Sequence, residues 1–278
     1  MSVKRDSSGR RSIEVDVEVP GTPEEVWNAI ATGPGITSWF VPTEIETRDG
    51  VPVKVIAHFG PGMDAVAAVT AWDPPRRFAA EGDSFGPNAP PLATEWIVEA
   101  RSGGTCVVRV VHSLFTSSDE WDNQLESIES GWPRFFRLLA AYLKYFQGAR
   151  CAPFRVMEMT SDAGAWGALI AALGLTDASA GTRWQSPAGV PPLAGVVEEV
   201  DERGDRHSLM MRVSEPAPGI VALFSHAAWG RTLMVVDFYL YGDRAPAIAS
   251  RDEPAWRAWM SGVSESTQRA AADTPSLT

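Results

Sequence analysis

Between residues 43 and 114, six strand-length segments follow one another with only turns between them, and this spacing restricts the fold more than any other stretch of the chain. The segments are 43–48, 52–59 (PVKVIAHF), 65–72 (AVAAVTAW), 77–82, 93–100 (ATEWIVEA) and 105–114 (TCVVRVVHSL), punctuated by RDG, GPGMD, DPP and RSGG. With no helical pattern between them, the strands have to pair antiparallel. The period then changes. In GWPRFFRLLAAYLKYFQG, Trp132, Phe135, Phe136, Leu139, Leu143 and Phe146 recur at helical spacing, with Pro133 suited to a helix start and Gly148 to a stop. Only Arg134, Arg137, Lys144 and Gln147 give this helix a polar side, so the sheet is expected to grip it. The class is α+β.

Ahead of the six segments, SIEVDVEVP sets Ile13, Val15, Val17 and Val19 on one face and Glu14, Asp16 and Glu18 on the other, the period of a half-buried strand. A helix follows in VPGTPEEVWNAI: Thr22 caps it, Pro23 suits its first position, and Glu25 reaches back to the Thr22 amide. Val26, Trp27 and Ile30 give it an apolar face. After the break at Gly33, Pro34 and Gly35, a second short helix carries Ile36, Trp39 and Phe40.

The order then starts again after GARCAPF, with a strand at FRVMEMT, a helix at SDAGAWGALIAALGL, further strands and a late helix at EPAWRAWMSGV. TPEEVWNAI matches SDAGAWGAL at an offset of 139, WDPPRRF falls over VDERGDR at 128, and TCVVRVV over TLMVVDF at 127. Offsets that keep order and shrink by 139 − 127 = 12 imply two copies of one fold, the second shortened near its second helix and following strand. An unrelated α+β domain is the alternative for this half. The expected boundaries are a disordered terminus 1–11, a domain 12–148, a linker 149–153, a domain 154–263 and a disordered tail 264–278.

With 45% hydrophobic residues, 11 Trp and 11 Phe, 278 residues supply core for two domains. The net charge of −11, with 21 of 24 positives being scattered Arg, disfavours nucleic-acid and anionic-membrane partners. Cys106 and Cys151 give neither metal-ligand spacing nor a disulfide framework, and no metal or cofactor is expected. MSVKRDSSGRR lacks an apolar core after its basic residues, and no apolar run approaches the roughly 20 residues of a spanning helix. The expectation is a soluble cytoplasmic protein.

In order, VPGTPEEVWNAI, ITSWF, WDPPRRF, the GGT turn into VVRVVHSLF and the closing GW helix resemble the bacterial activators of heat-shock-chaperone ATPase homologues, members of the START-like superfamily. The resemblance covers nearly all of residues 1–148 and extends to the second half only through the offsets. It implies a helix-grip fold, a curved antiparallel sheet wrapped around a long carboxy-terminal helix with an apolar cavity between them. It implies no single function, because members bind lipids, polyketides, hormones or antibiotics, some cyclise or hydrate ligands, and others act as co-chaperones.

Candidates for the cavity wall are Trp39, Phe40, Phe59, Trp72, Phe78, Trp96, Phe115, Trp132 and Phe136; each taken alone reads first as core, but the set suits a flat apolar ligand. His112 is a candidate polar anchor or general base, set against the plain reading of a strand histidine at the sheet surface. His58, His207 and His226 form no metal pair with it or each other. GGT at Gly103–Thr105 is a hairpin turn without the Lys of a phosphate loop, and Ser113, Ser117 and Ser118 lack a nucleophile elbow. Acidic 117–130 reads as a loop and helix lead-in, with Trp121 and Leu125 either lid or packing. Arg76 and Arg77 begin the next strand with one side chain to each face, so that an inward Arg could meet a ligand carboxylate, with a surface position the expectation. The leading function is non-catalytic binding of a small hydrophobic or aromatic ligand; the alternatives are a co-chaperone of the stress response with a chaperone as partner, and a cyclase or hydrolase-type enzyme on a polyketide-like ligand.

Overall fold

The alternation of SIEVDVEVP becomes a strand, β2 (Arg11–Pro20), that buries Ile13, Val15 and Val19 and pairs on one edge with the short β1 (Lys4–Arg5). The computed structural model describes residues 3–7, 9–60, 62–83, 89–116, 118–203, 206–228 and 230–272. The chain divides into two units, Met1–Gly148 and Ala149–Thr278.

In the first unit, β2 leads into α1 (Pro23–Ala31) and α2 (Gly33–Thr37). The capping box is closed in both directions: the Glu25 amide donates to Thr22 Oγ1 (3.3 Å) and the Thr22 amide to Glu25 Oε2 (2.8 Å). Such a cap contributes about 1 kcal/mol to the start of a helix. The two helices touch so closely that a Cβ on Gly35 would lie 1.9 Å from the Asn28 carbonyl oxygen. Six strands follow as expected: β3 (Thr43–Arg48), β4 (Val51–His58), β5 (Asp64–Asp73), β6 (Arg77–Gly82), β7 (Leu92–Arg101) and β8 (Thr105–Leu114). Asp49 and Gly50, both at positive φ, join β3 to β4 in the turn whose twist matches a hairpin. The sheet is antiparallel throughout, in the order β1-β2-β8-β7-β6-β5-β4-β3.

The long helix α3 (Asp122–Tyr145) packs against β2 and against the sheet face that carries Trp96 and His112. It begins about ten residues before the expected start, after a 3-10 turn at Asp119–Trp121, so Pro133 lies inside it. A proline in the interior removes one helical hydrogen bond. Tertiary contacts hold the first turns regardless: Leu125 is buried against Ile13 and Leu114, and Arg11 pairs with Asp122. Leu125 is therefore packing rather than lid.

The second unit runs β9 (Cys151–Thr160), α4 (Ala165–Ala172), β10 (Arg183–Gln185), β11 (Ala194–Arg203), β12 (Arg206–Glu215), β13 (Gly219–Ala228), β14 (Arg231–Tyr241) and α5 (Ala245–Ala272). Its antiparallel order, β10-β11-β12-β13-β14-β9, repeats that of the first unit from β2 onward with one strand fewer and no counterpart of α2. Two tandem copies of one helix-grip fold account for this order. The expected offset of 127 for the last strand is corrected by one. Val15 pairs with Val110 and Phe154 with Phe238, so residues 139 apart on β2 and β9 place Val110 over Phe238, an offset of 128. A slip of one residue would have put inward Val110 over Asp237, on the opposite face of β14 from Phe238.

Three further expectations change. The terminus 1–11 is not wholly disordered, since Lys4 and Arg5 pair with Ser12 and Arg11 and Lys4 meets Glu14 at 2.8 Å; residues 1, 2 and 8 lie outside the described residues. The linker 149–153 is cut short by β9, whose Cys151 already pairs with Tyr241. The tail from 264 is helical through Ala272, with Ser264 buried, and 273–278 lie outside the described residues. α5 also starts before Pro254, because Ala245, Ile248 and Ala249 are buried at helical spacing. α4, by contrast, starts late: with Gly164 where α1 has Glu25, no side chain caps it and Ser161 stays outside the helix.

Candidate functional site

Between α3 and the sheet of the first unit lies a cavity of about 390 Å³, partly open to solvent. Residues on alternate positions of four strands turn into it: Val55 and Ala57 of β4, Ala65 and Ala67 of β5, Phe78 and Ala80 of β6, and Leu92, Thr94 and Trp96 of β7. The alanines matter because each leaves a gap that a larger side chain would fill. Ile36, Trp39 and Phe40, at and after α2, close one end, and α3 supplies Ile128, Gly131, Trp132 and Phe135. These four stand at i, i+3, i+4 and i+7, one stripe of a helix. Nothing lies within 4 Å of where a Cβ on Gly131 would sit, so the glycine adds to the empty space.

The wall is a connected aromatic shell. Phe40 stacks on Trp132 (5.7 Å, 17°) and meets Phe135 edge-on at 4.5 Å and Phe59 at 5.7 Å, while Trp96 meets Trp132 at 5.1 Å and Trp39 at 6.1 Å. Trp39 satisfies its indole N–H on the Ala29 carbonyl (2.9 Å). No lining residue is charged; the polar ones are Thr43, Thr94, His112 and Ser127.

Of the expected wall residues, Trp39, Phe40, Phe59, Phe78, Trp96, His112 and Trp132 line the cavity. Trp72 and Phe136 do not. Trp72 sits edge-on between Trp27 of α1 (5.0 Å) and Phe78 (5.3 Å), and Phe136 is buried behind Trp96 and Trp132. Phe115 is exposed beneath the Arg10 guanidinium. Sequence reasoning missed Ser127, Ile128, Gly131 and Phe135 on α3, and on the strands it missed Thr94 and the alanines. The stripe 128/131/132/135 was the available signal, with its glycine marking space, whereas 132/136/139/143 forms the buried stripe beside it.

His112 does not lie on the outer surface; it is buried, and both its ring nitrogens are engaged. Trp132 Nε1–H donates to His112 Nε2 at 2.8 Å. An indole nitrogen can only donate, so Nε2 must accept and the neutral ring carries its proton on Nδ1. Nδ1–H then donates to Thr94 Oγ1 at 3.0 Å. Burial lowers the imidazole pKa from 6.5 to about 4, which keeps this tautomer neutral at pH 7. With its one lone pair held by Trp132, His112 is not free to take a proton from a ligand.

The remaining candidates fall outside the cavity. His58 is paired with Asp64 (2.9 Å), Arg76 with Asp73 and Arg77 with Glu95, all on the exposed side. His207 stacks on Trp166 in the second unit. There the register that aligns Val110 with Phe238 sets Leu240 and Gly219, paired with each other, where His112 and Thr94 pair in the first. Phe154 stacks on Phe238 at 4.2 Å, and Phe238 meets Trp256 at 5.0 Å, within the core of that unit. Among the described residues no three His, Cys, Asp or Glu side chains converge on a metal position, and no helix is long and apolar enough to cross a membrane.

Residues 20–144 match the model of the family described as activator of Hsp90 ATPase homolog 1-like protein. The first unit is an AHSA1-like domain. No curated protein matches the chain. Among solved structures, the chain is similar to the di-domain ARO/CYC BexL from the BE-7585A biosynthetic pathway (13% identity, 92% of this chain and 98% of that one, TM-score 0.45). CalU16 from Micromonospora echinospora is similar at 19% identity over 52% of this chain and 83% of its own, TM-score 0.40. The Aha1 dimer from Colwellia psychrerythraea is similar at 18% identity over 49% of this chain and 98% of its own, TM-score 0.40. The cavity, the aromatic shell and the Trp132–His112–Thr94 chain all lie in the AHSA1-like domain.

Proposed function

We propose that the AHSA1-like domain binds a small, uncharged, flat aromatic or otherwise apolar molecule, without catalysis, and that the second unit is a structural copy. The observation that carries this reading is the cavity of about 390 Å³ walled by aromatic rings and free of charged side chains. That volume lies in the range of small-molecule sites, and burying an ionised ligand there would go uncompensated. The engagement of both His112 nitrogens supports binding over acid–base chemistry. No observation of the same weight favours a chaperone as partner.

The test is a thermal-shift panel of neutral polycyclic aromatics on the full chain and on Gly131→Leu, whose added side chain enters open space and fills the cavity. A ligand at a hundredfold excess over its Kd adds about 2.7 kcal/mol to the state that binds it. The expected result is a raised midpoint for part of the panel, lost in Gly131→Leu. A flat response, or one indifferent to Gly131→Leu, refutes the reading.

A further inference from the structure

The chain of hydrogen bonds in the cavity wall has a direction, and the direction constrains the ligand. It begins at a group that can only donate, the Trp132 indole N–H, passes through His112 and ends on the Thr94 hydroxyl oxygen. Thr94 lines the cavity and is only half-buried, between Leu92 and Trp96 on the inward face of β7. Its oxygen has already accepted one bond from His112 and keeps only its second lone pair, whereas its hydrogen, the group's one donor, is still unused. Successive bonds of this kind polarise one another, which makes that last hydrogen a better donor.

We infer that the Thr94 hydroxyl is the orienting hydrogen-bond donor of the cavity, so that the preferred ligand is a planar aromatic carrying a neutral acceptor, a ketone or quinone oxygen. This rests on the reading of the cavity as a ligand site and adds the ligand's chemical class. A ligand whose only polar group is an N–H or O–H donor gains less than one carrying an acceptor. It would place a second donor on the Thr94 oxygen and leave the threonine hydrogen unmatched.

The second unit shows that the helix grip does not require this chain. The positions in register with His112 and Thr94 hold Leu240 and Gly219, and a Cβ on Gly219 would come within 3.0 Å of the Leu240 side chain. The same strand pair is therefore closed by a leucine packed over a glycine in one copy and by a polar relay in the other.

The experiment uses three probes of one shape, titrated into the full chain and followed by tryptophan fluorescence: 9-fluorenone (acceptor), fluorene (neither) and carbazole (donor). Fluorenone is expected to bind the unmodified chain more tightly than carbazole. In Thr94→Val, which keeps the shape and removes the hydroxyl, the fluorenone-to-fluorene affinity ratio is expected to fall about three- to tenfold, the range of one neutral hydrogen bond. Thr94→Ser restores it. Carbazole equal to or tighter than fluorenone, or a ratio unchanged in Thr94→Val, overturns the inference while leaving the cavity a binding site. If none of the three binds, the reading of the cavity falls and this inference with it. Should Thr94→Val fail to fold, the comparison of the three probes on the unmodified chain and on Thr94→Ser decides.

Discussion

Acidification should weaken the AHSA1-like domain through His112 in a window that the structure defines. In the folded chain burial holds the imidazole pKa at about 4, against an ordinary value of 6.5. Between those values the unfolded chain binds a proton that the folded chain does not, so stability is complete above about pH 6.5 and falls as pH drops toward 4. Integrated over that window the effect is about 3 kcal/mol, undiminished by solvent screening because the ring is buried. The sign is opposite for His58, whose pKa is raised by its hydrogen bond to Asp64; its contribution is present at low pH and lost as pH rises. The informative quantity is therefore the difference between the unmodified chain and His112→Gln, measured by urea unfolding at pH 7, 5.5 and 4. The variant is expected to be less stable at pH 7, since Trp132 and Thr94 lose their partner, and to lack most of the slope between pH 6.5 and 4. Parallel pH profiles for the two proteins, or an imidazole that titrates near 6.5 by NMR, would refute the burial and tautomer deduced above.

Two further substitutions test packing. Gly35→Ala should destabilise the first unit by about 2 kcal/mol or more, an overpacking cost, because its methyl group would meet the Asn28 carbonyl oxygen at 1.9 Å; a loss below half of that in thermal unfolding would show that α2 can shift freely. In the second unit Asp237, almost fully buried, pairs with Arg155; Asp237→Ala strands that guanidinium and is expected to cost about 3–5 kcal/mol in urea unfolding, and a cost under 1 kcal/mol would mean that water already serves Arg155.

The elements of the first unit were legible in the sequence to within a residue or two, except at three places: α2 takes in the expected break at Gly33–Gly35 and ends before Trp39 and Phe40, and at the two ends of the unit β1 and the early turns of α3 are held by side chains far along the chain. The strand starts at Thr43, Arg77 and Thr105 and the capping box at Thr22 follow from period and turn chemistry, which act over a few residues. Both long helices were expected to begin at a proline, and both extend well before it. A proline at a first turn is a local preference, whereas Leu125 against Ile13 and Leu114, or Ala245 and Ile248 in the core, are contacts that local pattern does not contain.

The site divides along the same line. Residue type and alternation were enough to draw seven aromatic and histidine side chains toward one cavity, because an inward-facing strand position is a local property. They were not enough to separate Phe135 from Phe136, which differ by one step around a helix whose rotation is set by what it packs on. Nor could they assign His112 its proton, which depends on Thr94 and Trp132, 18 and 20 residues away in sequence. The repeat was visible as ordered offsets, but its register, and with it the replacement of the polar pair by Leu240 and Gly219, came only from strand pairing. Order of elements is written in short-range periodicity; facing, tautomer and empty volume are decided where distant side chains meet.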